Sequence, residues 1–254
     1  MILPWLEATN WLARVLAIPG LKATGRFRLK RWWRRQFKKV FGSGASEYFI
    51  AFASLEVNPK VLRFASNLDQ QLARFPLVKP THPDKAFSAQ KVVSGSELRA
   101  VSYIGPSLAT DGGIVARVVA DDAIADKLDI DFISFGAMSN LKTIDAFANP
   151  ANRLAGYSPH EPLFISQSTG KALCDFPDGY DYGLILKIHP QQFPSRTWIC
   201  CTGIGEWGTS GSTWFLAKKW KEIAKKVNER DQFVCVIQVK PGQDESARLH
   251  HFAT

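Results

Sequence analysis

No stretch limits the fold of this chain more than Thr197–Ile223, "TWICCTGIGEWGTSGSTWFLAKKWKEI". Trp198, Ile199, Cys200 and Cys201 form an uncharged apolar run that suits a strand covered on both faces. Leu216, Trp220, Ile223 and Val227 then recur at helical spacing, with Lys218, Lys219, Lys221, Lys225 and Lys226 off that stripe. Between them Gly203, Gly205 and Gly208 are spaced G-x-G-x-x-G, and Thr209 and Ser210 suit a helix N-cap. Strand, glycine turn and helix in this order present backbone N–H groups at the first helical turn, where an anion can be held. The unit predicts an α/β chain with a polar or anionic ligand site at Gly203, Gly205, Gly208, Thr209 and Ser210. The other reading is a close-packed turn that needs glycine for geometry alone. A dinucleotide fingerprint fits less well, because the next apolar run, "QFVCVIQVK", leads into Lys240 and Pro241 where an acid would take the ribose hydroxyls.

The same order recurs upstream. "DFISFGAMSNLKTIDAFAN" reads as a strand, a turn at Gly136 and a helix capped by Ser139 or Asn140. After the first strand candidate, "EYFIAFAS", Asn58 and Pro59 open a helix with Val61, Ala65, Leu68 and Leu72 as its buried stripe. Phe75–Ser96, with Pro76, Pro80 and Pro83, reads as a loop. "LFIS", "YGLILKI", "RTWICC" and "FVCVIQV" read as later strands, the middle two joined in a hairpin through "HPQQFPS". Strands alternating with helices predict a mostly parallel, three-layer Rossmann-like sheet whose ligands lie beyond the strands' carboxyl ends. On adjacent strands the two glycine loops would lie side by side, and Gly136, Ser139 and Asn140 would join the second loop in holding phosphate or ribose hydroxyls. "DFISFGAMSN" and the glycine-rich loop resemble nucleotide- and nucleoside-binding Rossmann-like families, deoxyribosyltransferase-like ones among them, and no site residue is carried over from that resemblance.

Charge divides the chain. Its net +9 resides in residues 1–42, where ten Lys and Arg face a single acid, Glu7, while the rest is balanced. "FGSGAS" reads as a linker, so the expected division is a basic amphipathic helical arm, 1–43, and an α/β domain, 44–254. Within the arm, "RFRLKRWWRRQFKKVF" places Leu29, Trp33, Phe37 and Val40 or Phe41 on one helical face. Arg28, Lys30, Arg31, Arg34, Arg35, Lys38 and Lys39 lie largely on the others, and Trp32 adds a second aromatic beside Trp33. The apolar segment before it is interrupted by Glu7, Arg14 and Pro19 and falls short of a spanning helix. The arm is therefore expected to lie on an anionic membrane surface, to bind nucleic acid, or to pack on a partner or on its own domain. Cys174, Cys200, Cys201 and Cys235 show no metal or disulfide spacing and read as reduced core residues of a cytoplasmic protein.

Glu206, a carboxylate among glycines at a helix start, is the candidate catalytic group; it would act as base or stabilise an oxocarbenium ion in cleavage of an N-glycosidic bond. The helix dipole alone also favours an acid there. Lys187, His189 and Arg196 are candidate anion contacts. Asp121 and Asp122 are adjacent, hence on opposite sides of the chain, and do not pair. No motif names a cofactor. The expected function is binding of a nucleotide-like or other anionic small molecule by an α/β domain attached to a membrane surface. The alternatives are a nucleoside- or NAD-cleaving enzyme using Glu206, and a nucleic-acid-binding or scaffold protein acting through the arm.

Overall fold

The computed structural model describes residues 31–42, 46–56, 91–158, 163–174 and 179–254. Arg28, Lys30, the expected helix after Asn58 and most of the loop after Phe75 lie outside the described residues.

The protein is mixed α/β. Helix α1 (31–41) precedes β1 (Glu47–Phe52) and two short strands, β2 (Leu55–Glu56) and β3 (Lys91–Val92), which pair with each other. Next come α2 (Gly95–Ser107), β4 (Val115–Ala120), β5 (Phe132–Phe135) and α3 (Leu141–Ala148). The hairpin β6 (Ala155–Ser158) and β7 (Leu163–Ser166) leads to β8 (Asp181–Ile188), β9 (Trp198–Gly203), α4 (Glu206–Ala224), β10 (Phe233–Lys240) and β11 (Gln243–Ala253).

Seven strands make the main sheet in the order β11-β10-β8-β9-β5-β1-β4. Strands β4, β1, β5 and β9 are mutually parallel. Strands β8, β10 and β11 are joined antiparallel, so the expected mostly parallel sheet is a half-parallel one. Connection length is the cause. A parallel neighbour needs a crossover of a dozen or more residues, whereas "HPQQFPS" between β8 and β9 allows only a hairpin, and β10 turns into β11 through Pro241 and Gly242, the latter at φ 82°.

Both faces of β5 and β9 are covered, which is why they read as continuous apolar runs. Ile133, Phe135, Ile199 and Cys201 join the core formed with α1, α2 and α4, while Phe132, Trp198 and Cys200 pack with α3 and the β6–β7 hairpin. The predicted stripe of α4, Leu216, Trp220, Ile223 and Val227, is buried in the first of these cores.

Helix α1 belongs to that core as well. Phe37, Val40 and Phe41 are buried, Phe37 stacks on Phe41, and Trp33 and Phe37 each meet Trp220 edge-on. Tyr48 Oη donates to the Phe41 carbonyl, and Lys187 Nζ donates to the Lys39 carbonyl at 2.8 Å. Gly42 ends the helix at φ 81°, its N–H on the Lys38 carbonyl at 2.7 Å; a Cβ there would overlap Thr197. The glycine read as a linker is thus a helix cap, and a boundary at residue 43 does not separate α1 from the α/β body. Among the described residues no helix is long and apolar enough to cross a membrane.

Candidate functional site

Strands β5 and β9 are adjacent and parallel, Phe135 opposite Cys201, so the two glycine loops leave neighbouring strands at the same end of the sheet. Their local chemistry differs.

In the loop after β9 the anion position is filled from within. Asp181, at the start of β8, accepts from Gly205 N–H at 3.0 Å and from Gly208 N–H at 2.7 Å, as well as from its neighbour Tyr182 at 2.7 Å. A Cβ on Gly205 would stand 2.6 Å from Asp181 Oδ2. Gly203 and Gly208 serve contact: a Cβ on Gly203 would overlap Thr209 N, and one on Gly208 would overlap the Tyr182 carbonyl. Helix α4 therefore begins at Glu206 with Gly205 at its N-cap, four or five residues before the expected Thr209 or Ser210. Those two are buried; Thr209 bonds back to the Gly205 carbonyl, and Ser210 Oγ donates to Asp244 Oδ1 at 2.6 Å. Gly203, Gly205, Gly208, Thr209 and Ser210 thus have protein partners or protein neighbours, in keeping with the close-packed reading of the turn. Glu206 is exposed on the first turn of α4.

Around the loop after β5 the groups are less completely engaged. Asn140 caps α3, its Oδ1 accepting from Lys142 N–H at 3.0 Å, while its Nδ2 donates to the Ala51 carbonyl at 2.9 Å. This fully buried side chain holds the loop to β1. Asp121, after β4, does the same with its carboxylate, accepting from Ser54, Asp122 and Leu141 N–H groups. Asp122 is exposed, on the other side of the chain. Between these anchors Gly136 turns at φ 76°, and Met138 and Ser139 are exposed.

Glu97, from the first turn of α2, reaches this loop. A Cβ on Gly136 would stand 2.8 Å from Ser139 Oγ and 3.1 Å from Glu97 Oε1, which places the three together. Glu97 is 3% exposed, and its Oε2 accepts from Ala53 N–H at 3.1 Å. Burial pushes its carboxyl up to about 7, the Ala53 N–H opposes the shift, and the Asp121 charge adds to it. Two residues on, Arg99 stacks over Trp207 at 4.1 Å and pairs with Asp244 at 3.3 Å. Tyr103 donates to the same carboxylate at 2.9 Å; burial first, and then Asp244, push its hydroxyl up to about 12. Glu97, Asp121, Arg99 and Asp181 were absent from the residues expected to form the site. One local signal pointed to Glu97: Ser94-x-x-Glu97 is a capping-box spacing, and Ser94 Oγ does cap α2, accepting from Ser96 N–H.

Lys187, His189 and Arg196 lie at the opposite end, because β8 runs antiparallel to β9 and carries them to its amino end. Lys187 is fully buried with Nζ on the Lys39 and Glu229 carbonyls, and burial lowers it to about 8. Arg196 pairs with Asp129 at 2.7 Å and Asp131 at 3.3 Å. His189 Nδ1 bonds the Arg196 carbonyl at 2.8 Å, and burial lowers its pKa. These three cannot share a ligand with the glycine loops. The four cysteines are buried and none is in a disulfide, Cys200 pushed up to about 12 by burial. Among the described residues no His, Cys, Asp and Glu cluster suits a metal ion. No protein-family model, curated protein or solved structure matches this chain.

Proposed function

We propose that the protein binds a nucleotide-like or other polar small molecule at the carboxyl ends of β1 and β5, against the Gly136–Asn140 loop, with Glu97 as the group that exchanges a proton with it. The observation that supports this reading is a buried carboxyl held near neutrality beside a glycine turn, at the sheet end where open α/β sheets receive ligands. At pH 7 Glu97 is divided between two states. As the acid it donates a hydrogen bond to a ligand oxygen or ring nitrogen; as the carboxylate it accepts from a ribose hydroxyl. Gly136 lets Glu97 and Ser139 come close to the turn, since any side chain there would crowd both.

The same titration favours one second reading, cleavage of an N-glycosidic bond, because a carboxyl of this pKa suits general acid or base catalysis at neutral pH. In that case Glu97 would take the part expected of Glu206. Incubating the full chain with nucleosides, nucleotides and NAD, with calorimetry for binding and chromatography of the products, separates the two. Saturable binding with unchanged ligand supports the binding reading. Released base that disappears in Glu97→Gln and persists in Glu206→Gln supports the second. No binding and no turnover contradicts both.

A further inference from the structure

Helix α1 carries a second stripe besides the one buried in the core. Arg31, Arg34, Arg35 and Lys38 fall at i, i+3, i+4 and i+7 and line a cavity of ≈ 430 Å³ together with the turn 112–114. Like charges at these spacings repel one another, and among the described residues none of the four is in an ion pair. The acid beside that turn, Asp111, instead accepts from Trp220 Nε1 at 3.0 Å. The turn facing the cations is the glycine pair Gly112 and Gly113 followed by Ile114, and it carries no charge. Gly113 sits at φ 66°, where a Cβ would stand 3.3 Å from Arg34 Nη2, and a Cβ on Gly112 would stand 2.6 Å from the Phe37 ring. A side chain on Gly113 would crowd Arg34, and Gly112 lets the turn pack directly on Phe37 and Ile114. Because Phe37, Val40 and Phe41 anchor the helix in the core, the cations are presented from a fixed surface.

The geometry points to a site for a phosphate-dense anion, two or more phosphate groups close together, in the cavity between α1 and the 112–114 turn. Guanidinium forks match phosphate oxygens in bidentate pairs, and two phosphates of about −1.5 to −2 each would balance four cations. The volume is that of a small-molecule site, and cations converging on a concavity suit a compact anion better than an extended nucleic-acid backbone. Ile114 leads into β4, and Gly42 packs on Thr197 just before β9, so the cavity lies at the amino ends of the parallel strands, away from Glu97. The inference is therefore independent of the function proposed above. The anion has two possible sources, a soluble diphosphate or triphosphate and a polyphosphorylated lipid headgroup.

Calorimetry on the full chain with inorganic pyrophosphate tests the site. Pyrophosphate is expected to bind more tightly than orthophosphate, and Arg34→Gln with Arg35→Gln to weaken it about tenfold or more without changing the melting curve. Arg31→Gln with Lys38→Gln, tested separately, is expected to act in the same direction. Lys218→Gln with Lys225→Gln, at exposed positions of α4 and its C-cap outside the cavity lining, is expected to leave the Kd within about twofold, as for charges outside the site. Cosedimentation with phosphatidylcholine vesicles containing phosphatidylinositol bisphosphate, against phosphatidylserine at matched charge, distinguishes the sources. Binding to the bisphosphate vesicles that pyrophosphate displaces assigns a lipid headgroup; pyrophosphate binding without vesicle binding assigns a soluble ligand. Three results would overturn the site: no pyrophosphate binding, equal weakening by the α4 variant, or binding only to phosphatidylserine vesicles or duplex DNA.

Discussion

The loops after β5 and β9 share one grammar, strand, glycine, helix, and lie on neighbouring strands, yet they are completed differently. After β9 the first-turn N–H groups of Gly205 and Gly208 meet the carboxylate of Asp181, so an anion is present and it is the chain's own. After β5 the helix is capped by Asn140 and Asp121, and Glu97 is set against Gly136 with its carboxyl near neutrality. A glycine turn at a helix start therefore supplies donors and close approach, and what occupies them is decided by a residue remote in sequence. Asp181 lies 24 residues before Gly205, and Glu97 is contributed by another helix.

Four substitutions sharpen or break this contrast. The largest effect is expected for Gly208→Ala, whose new methyl would overlap the Tyr182 carbonyl and push α4 off β8; a loss of about 3 kcal/mol or more in chemical denaturation is expected, and a near-neutral result would mean that the glycine is not there for contact. Glu97→Gln comes next. Because the folded carboxyl titrates near 7 rather than 4.5, the unfolded chain ionises first, and wild-type stability falls as pH rises from about 4.5 to 7. The Gln variant should lack that fall, so the stability difference between the two proteins should change by about 3 kcal/mol across the window. Asp181→Ala leaves two amide donors without their acceptor and is expected to cost about 2 kcal/mol. Added phosphate should restore part of that loss in the variant and do nothing comparable for wild type; absence of rescue would show that the turn is no anion site even when emptied. The smallest effect is expected for Gly136→Ala, about 1 kcal/mol from the left-handed backbone, with small-molecule binding lost because the methyl crowds Ser139 and Glu97. Full binding by that variant would move the ligand elsewhere.

Much of the framework was legible because burial on both faces writes apolar runs into the chain. "EYFIAF", "FISF", "YGLILKI", "WICC" and "FVCVIQV" are strands in the main sheet, "LFIS" pairs in the small hairpin, and the β8–β9 hairpin follows from its short connection. Strand β11 was hidden because an edge strand alternates polar and half-buried residues, as "QDESARLHHFA" does. The start of α4 was misplaced because its cap comes from Asp181 rather than from a local Thr or Ser. The stripe of α1 was visible, but amphipathicity specifies an apolar partner without naming it, and here the partner is the protein's own core at Trp220 and Tyr48. Of the expected site, Gly136 and Ser139 lie beside Glu97, while Lys187, His189 and Arg196 were drawn to the other end by a strand whose direction no local pattern revealed.

The most direct measurement is an amide NMR titration of the full chain with a nucleoside and nucleotide panel. The expected result is saturable shifts centred on Gly136, Ala137 and Ser139, with the Gly205 and Gly208 amides unmoved because Asp181 already holds them. Shifts centred on Gly205 and Gly208, or none at either loop, would contradict the assignment of the ligand to the loop beside Glu97.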